Sequence, residues 1–380
     1  MLFQHIGGLE STKRILLQAL QNQQIAHAQL FCGQEGSANL ALAWAYITYL
    51  NCPNPQVEDA CGHCISCMQM KKLIHPDVHF VYPVAVTKKV ETKPLSRDFI
   101  NEWRSFLLES PYQTFSQWLA FIEADNKQGN ISVEESRNIL QILALKPLMA
   151  QYKTILIWLP EYMNLAAANA LLKILEEPPS KTLFLLVTQE DKKLLPTIIS
   201  RTQRITIPTF SDEEVVNFLV KNKQIDLKKA RQIAYLCEGN LNEALKLLQE
   251  NTHNFFDIFR QWMLACYGEK VQQKRQMRFD KIVAENEKIA KLSKDEQKNL
   301  LLYSLRIYRE VLLYQYGDKS LLRLQAEELN FVSKFAQFFN MAGIETIYEK
   351  LNEALYHLER NANPKITFLD LSIHIAQTML

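Results

Sequence analysis

Cys61-Gly-His-Cys64-Ile-Ser-Cys67 sets three thiols at two overlapping C-x-x-C steps, and Cys52 lies a short way upstream. That spacing lets the three thiolates converge on one small volume, where Cys52 can complete a tetrahedron. Tetrahedral sulfur coordination points to Zn²⁺. An iron–sulfur cluster uses similar ligands, but the C-x₂-C-x₂-C-x₃-C-P run is missing. Four bound thiolates leave no open position, so a structural metal is expected over a catalytic one. His63 and His75 are candidate substitute ligands. A redox dithiol would need only one C-x-x-C pair, and a third and fourth Cys argue against it. Cys32, Cys237 and Cys266 fall in apolar runs and read as core residues.

A second constellation is notable for what it lacks. Gly33-Gln-Glu-Gly36-Ser-Ala38-Asn39-Leu40 follows an apolar strand and opens onto a helical run. This is the setting of a phosphate-binding G-x-x-x-x-G-K-[ST] loop, which needs a Lys on the β/γ oxygens and a hydroxyl on Mg²⁺. Here Ala38 stands at the second Gly, Asn39 at the Lys and Leu40 at the hydroxyl. A charge-assisted hydrogen bond contributes about 1.5–3 kcal/mol. Loss of the cation and the metal ligand should therefore weaken nucleotide binding about a hundredfold or more.

These residues need elements to hold them. From Leu30 to Ile207 short apolar strands alternate with helical runs, which predicts an α/β domain with a mostly parallel sheet. Strands are expected at Gln29–Cys32, Val78–Tyr82, Thr154–Leu159, Leu183–Val187 and Gln203–Ile207, and helices at Ala38–Leu50, Val133–Leu145, Leu165–Leu175 and Lys192–Ile199. After Pro208 strand signals stop. Ser211-Asp-Glu-Glu214 reads as a capping box, and Gly239 as a helix stop. The expected organisation is an α/β domain over 1–210, carrying the cysteine module at 52–67 and an insertion at about 84–130. A small helical domain over 211–253 and an all-helical domain over 254–380 follow. The insertion holds Trp103, Phe106, Tyr112, Phe115, Trp118 and Phe121, either as a helical pair burying its own aromatic cluster or as a partner-binding surface. The mixed charges of 269–298 read as a solvated helix face.

Of the 380 residues 48% are apolar, ample for packed cores, and 43 Lys plus Arg against 41 Asp plus Glu give a net charge of +2. No global field selects nucleic acid or a membrane. Met1–Leu9 has neither a basic nor an apolar leader region, and no run is long enough to span a membrane. The expectation is a cytoplasmic protein, and in a reducing compartment a cysteine cluster favours metal over disulfides.

Asn169-Ala-Leu-Leu-Lys-Ile-Leu-Glu-Glu-Pro-Pro179, preceded by Ala166-Ala-Ala168, resembles the AAA+ clamp-loader subunits of bacterial DNA polymerase III. So do Phe184-Leu-Leu-Val-Thr188, Thr197-Ile-Ile-Ser-Arg201, Phe3-Gln-His-Ile-Gly7, His27-Ala-Gln-Leu-Phe31 and His75-Pro-Asp77. Asn361-Ala-Asn-Pro-Lys365 is similar to the family's collar signature. The resemblance covers nearly the whole chain apart from 84–130. It implies an AAA+ P-loop-type parallel α/β domain with a zinc module, a helical lid and a helical collar that oligomerises.

The family contains ATP-hydrolysing gamma and tau members and a delta-prime type that commonly does not use ATP. Counted back from Asn169, the Walker B acidic pair falls on Trp158 and Leu159, which can neither hold Mg²⁺ nor orient water. The sensor-2 Arg falls on Asn242, while Thr188 matches sensor 1. The resemblance therefore implies a delta-prime-type subunit with no ATPase activity of its own and no bound ATP, working within the polymerase III holoenzyme. The alternative is an ATP-hydrolysing gamma/tau-type subunit. A stand-alone zinc protein that binds nucleic acid would show a basic stripe beside the cysteines, and the near-neutral charge balance offers little support for it. Arg201, beside Ser200, matches the arginine finger that reaches a neighbour's γ-phosphate; a plain helix-capping Arg is the simpler role. Arg137 matches a helix that can face template DNA, with Ser132 as N-cap, though a solvated helix-face Arg fits as well. Implied partners are the gamma/tau ATPase subunits, a delta subunit and, through the complex, the sliding clamp and primer–template DNA, with no membrane.

Overall fold

The computed structural model describes residues 1–125, 127–249, 255–271, 279–324, 326–360 and 362–379. It divides into two compact units, Met1–Gln249 and Glu250–Leu380. The expected 253/254 boundary, Asn361 and the 272–278 part of the charged stretch lie outside the described residues.

In the first unit α1 (Glu10–Gln21) precedes β1 (Ala28–Cys32), α2 (Asn39–Leu50), α3 (Ile65–Lys71) and β2 (Val78–Val81). Then come α4 (Ile100–Glu109), α5 (Phe115–Phe121), α6 (Val133–Leu143), β3 (Lys153–Trp158), α7 (Leu165–Glu176), β4 (Thr182–Thr188), α8 (Pro196–Ile199) and β5 (Gln203–Thr206). The strands form one parallel sheet of order β2-β3-β4-β1-β5. Central β3 and β4 are buried along their whole length, as strands covered on both faces must be, whereas edge strand β5 is largely exposed.

Alternation along each strand builds two cores. Ile155, Ile157, Phe184 and Leu186 join Ile139, Leu171 and Ile198 on one face. Leu156, Trp158, Leu185 and Val187 join Leu40, Trp103 and Leu219 on the other. Register aligns Cys32 with Thr188 and Trp158 with Val187. The carboxyl ends of β1, β3 and β4 thus form one edge, where ligands bind in open α/β sheets.

Each expected strand is present to within a residue at either end. The expected helix over Lys192–Ile199 is instead a 3₁₀ turn, Asp191–Lys193, followed by α8. Pro196 has no N–H to give, and it holds Leu195 extended at φ −61°, ψ 132°. The expected helix to Leu145 stops at Leu143, shortly before Pro147.

The insertion is a helical pair, α4 and α5, but its aromatic cluster is not its own. Trp103 stacks on Tyr82, just past β2, at 4.1 Å and lies 5.4 Å from Trp118, 5.2 Å from Trp158 and 6.4 Å from Phe80, so strands β2 and β3 supply part of the packing.

Helices α9 (Asp212–Lys223), α10 (Leu227–Cys237) and α11 (Leu241–Gln249) complete this unit. The expected capping box forms. Ser211 Oγ accepts from Glu214 N, and Glu214 Oε2 accepts from Ser211 N at 2.8 Å. Glu214 Oε1 also accepts from Leu9 N at 2.5 Å, tying α9 to the start of α1. Gly239, at φ +80°, ends α10 beside Glu238, also left-handed at φ 48°.

The second unit is helical among its described residues: α12 (Phe255–Val271), α13 (Phe279–Ile289), α14 (Lys294–Tyr316), α15 (Ala326–Phe335), α16 (Met341–Glu359) and α17 (Pro364–Thr378). Phe259, Tyr308, Phe335 and Phe339 pack edge to face in its core. Trp262 Nε1 donates to Ser372 Oγ at 2.7 Å. Asn363 Oδ1 accepts from Lys365 N at 3.0 Å and caps α17, with Pro364 in its first turn. No described helix is long and apolar enough to cross a membrane.

Candidate functional site

The residues singled out around the phosphate loop meet at the carboxyl edge of the sheet. Asn39, at the Lys position, opens α2 and is 4% exposed. Its Nδ2 donates to Gly33 O at 3.3 Å and Thr188 O at 3.2 Å, while its Oδ1 accepts from Leu40 N at 2.8 Å. The side chain is spent on the backbone of the loop and of β4. Leu40 and Ala38 are buried in the core.

The amino end of α11 closes over the same loop. Leu241 N donates to Gly36 O at 3.0 Å. Gly36 has φ +74°, and a Cβ there would meet Asn240 Oδ1 at 1.8 Å, so only glycine admits the carboxamide this close. Asn240 is held in turn as the N-cap of α11, accepting from Glu243 N at 3.0 Å. Asn242, the residue at the sensor-2 position, is buried.

At the Walker B position Trp158 is 1% exposed, packed among Trp103, Phe106 and Phe115. Leu159 is fully buried in the left-handed region at φ 56°, with its N–H on Val187 O at 2.8 Å. The next carboxylate, Glu161, turns toward β4. It accepts from Thr188 Oγ1 at 2.8 Å, Gln189 N at 2.9 Å and Glu190 N at 3.3 Å. Burial raises the Glu161 carboxyl pKa, opposed by those hydrogen bonds. The hydroxyl of Thr188, expected at the sensor-1 position, is therefore already engaged. Sequence reasoning missed Glu161 and Asn240; the signal for Glu161 was a lone acid in the apolar run just after β3.

The four thiols form a separate centre. The Sγ atoms of Cys52, Cys61, Cys64 and Cys67 all lie within 4.8 Å of one another, and Cys61 and Cys67 are 3.9 Å apart. A tetrahedron with metal–sulfur bonds of about 2.3 Å has edges of about 3.8 Å, so the donor set fits such an ion. Amides of Cys61, Cys64 and Cys67 donate to the sulfurs of Cys52, Cys61 and Cys64, each at 3.4 Å. Burial alone would raise the Cys61 thiol, but the amides of His63 and Cys64 and the neighbouring thiols outweigh it and bring it down to about 6. Burial holds Cys52 and Cys67 up. Neither His63 nor His75 belongs to the cluster. His63 Nδ1 lies 2.8 Å from Cys61 O, and His75 Nδ1 accepts from Asp77 N at 3.2 Å. Asp59 joins the module to the start of the chain by accepting from Phe3 N and Gln4 N at 3.1 and 2.9 Å.

Arg201 lies just past α8, away from the phosphate loop's hydrogen bonds. Its Nη1 donates to Thr197 O at 2.9 Å and Ser200 Oγ at 3.5 Å, and its Nη2 pairs with Glu176 at the end of α7. Arg137 is exposed on α6 and pairs only with Glu134, at 3.7 Å, among the described residues. Ser132 occupies the N-cap, yet its Oγ makes no capping bond, which corrects the cap expected of it. In His75-Pro-Asp77 the acid is structural. It accepts from the amides of Leu148, Met149 and Ala150 at 2.6–2.8 Å.

Comparison with known proteins gives this arrangement a lineage. "DNA polymerase III subunit tau" of Bacillus subtilis (strain 168) is 24% identical over 99% of this chain and 62% of its own length. The gamma subunit of Buchnera aphidicola subsp. Acyrthosiphon pisum is 27% identical over 65% of this chain and 58% of its own, so the chain spans about three fifths of these relatives. "DNA polymerase III subunit delta'" of Bacillus subtilis (strain 168) is 26% identical over 82% of this chain and 79% of its own. Among solved structures, a DNA polymerase III gamma subunit-related protein of Thermotoga maritima is 17% identical, covers 97% of this chain and 98% of its own, and has a TM-score of 0.33. The family described as "DNA polymerase III, delta subunit" matches residues 8–211, more than half of the chain. On that match the chain belongs to this DNA polymerase III clamp-loader family.

Proposed function

We propose that this chain is a delta-prime-type subunit of a bacterial replicative clamp loader, an AAA+ member of the ring that binds no ATP. The observation that carries the reading is the engagement of Asn39 by Gly33 O and Thr188 O, where a nucleotide-binding loop needs a free Lys. Burial of Trp158 and Leu159 at the metal-binding position supports it further. In this reading 211–253 is a lid, 254–380 is the collar through which the ring assembles, and the protein works in the cytoplasm. Its partners are gamma/tau ATPase subunits and a delta subunit and, through the complex, the sliding clamp and primed DNA, with Arg137 as a candidate DNA contact.

Arg201 is assigned as a finger offered in trans to the ATP site of the adjoining subunit, where such a group contributes about 10³–10⁵ in rate on the small-GTPase precedent. Cys52, Cys61, Cys64 and Cys67 would hold a structural Zn²⁺, which supplies folding energy and no catalytic step. The 99% span matched by the tau relative favours the alternative, an ATP-hydrolysing gamma/tau-type subunit. Titration of fluorescent ATP into the purified chain decides between the two: no saturable binding at micromolar ligand is expected, and saturation there overturns the delta-prime reading. In a reconstituted complex, Arg201→Ala should lower the partners' DNA- and clamp-stimulated hydrolysis at least tenfold while assembly persists.

A further inference from the structure

Arg201 is the residue on which the proposed function turns, and its guanidinium is already engaged. The group is always cationic and carries five N–H donors in a fixed fork. Nη1 rests on Thr197 O at the carboxyl end of α8, and Nη2 pairs with one carboxylate oxygen of Glu176. Nε is buried with no partner among the described residues. The pair is thus end-on rather than bidentate, and the fork that best matches a carboxylate or phosphate is only half used.

The two residues sit on a common platform. Ile174 and Leu175 of α7 and Ile198 of α8 enter the same buried cluster, so Glu176 and Arg201 are presented by elements packed on one core. Their side chains remain 47% and 31% exposed, open to an incoming anion. A half-exposed pair of this kind is weak, contributing about 0.2–1 kcal/mol, which a polyphosphate can exceed.

We propose that Glu176 is a positioning residue for Arg201. Its carboxylate acts as an intramolecular counter-ion that holds the guanidinium at the chain surface, and the terminal phosphate of a nucleotide on the adjoining subunit displaces it. Glu176 thereby sets a threshold: the finger engages only when a stronger anion than its own carboxylate is offered. The inference rests on the finger reading of Arg201, and it adds a competitor to that reading.

The test has two arms. In the purified full chain, phenylglyoxal modification of Arg201 is followed by peptide mass mapping, with exposed Arg14 as the internal reference. Glu176→Gln should speed Arg201 modification about two- to fivefold, the range an exposed ion pair supports. Glu176→Asp should return most of the protection. Equal rates in all three proteins would overturn the counter-ion. In the reconstituted complex, Glu176→Gln should lower the ATPase partner's KM for ATP about two- to fivefold. A raised KM, or a fall in kcat without one in KM, would overturn the competition. If Arg201→Ala leaves the partners' hydrolysis unchanged, the finger reading itself fails, an outcome separate from either arm.

Discussion

The carboxamide of Asn39 donates to the main-chain oxygen of Thr188 at 3.2 Å, joining the first turn of α2 to the end of β4. The two positions face each other, and the space between them is closed by a protein hydrogen bond.

Asn39→Lys should therefore fail to restore ATP binding. Trp158 and Leu159 still supply no metal ligand, and Glu161 still holds the Thr188 hydroxyl. Isothermal titration of the variant with Mg-ATP should show no saturable heat at micromolar ligand. Micromolar affinity would mean that the single cation was the whole defect.

Removing the metal should unfold the cysteine module. Structural zinc contributes about 10–16 kcal/mol to folding in small peptides, and here Asp59 transmits the module's order to Phe3 and Gln4. Elemental analysis should find one zinc per chain. Chelation or Cys67→Ser should lower the melting temperature and expose the 52–71 segment to protease. A chain purified without chelator that contains no zinc would defeat the assignment.

Trp158→Ala should destabilise the first unit by about 3–5 kcal/mol, because the indole is fully buried against Trp103 and Phe106. Urea unfolding should show the midpoint fall without a change in slope. A loss below 1 kcal/mol would mean that the aromatic cluster repacks freely.

Acidification should weaken the fold through His75 and His79. Burial lowers both pKa values from the ordinary 6.5; Lys153 lowers His79 further, whereas Asp77 opposes the fall at His75. The unfolded chain then binds more protons below about 6.5, so stability from keeping these rings neutral is complete above that pH. It drains away as pH falls toward their lower folded values. Urea unfolding at pH 7.5 and 5.5 should show a smaller drop for His79→Gln than for the unaltered chain. Equal drops would remove His79 from the account.

Much of this molecule was legible from residue order, for reasons that differ by element. The strands carry uninterrupted apolar runs such as Ile155–Trp158, and burial on both faces leaves no other reading. The cysteine module follows from spacing alone, since i, i+3 thiols reach one point. The Lys192–Ile199 helix was misjudged because apolar spacing outweighed the missing N–H of Pro196. Asn240, Glu161 and Glu176 were out of reach because their partners are 25 to 204 positions away and belong to other elements. Local pattern identifies which positions have lost their chemistry. Only the folded chain reveals what filled the space.

The aromatic packing around Trp158 also leaves no place for an acid there. A carboxylate at this position would sit as an unpaired charge in an oily pocket, and the vacated indole would leave a hole beside it. Placing an acid there would require first dismantling the packing that α4 and α5 bring to β3. The insertion thus fixes an apolar residue at position 158, because its own aromatic rings pack on that indole.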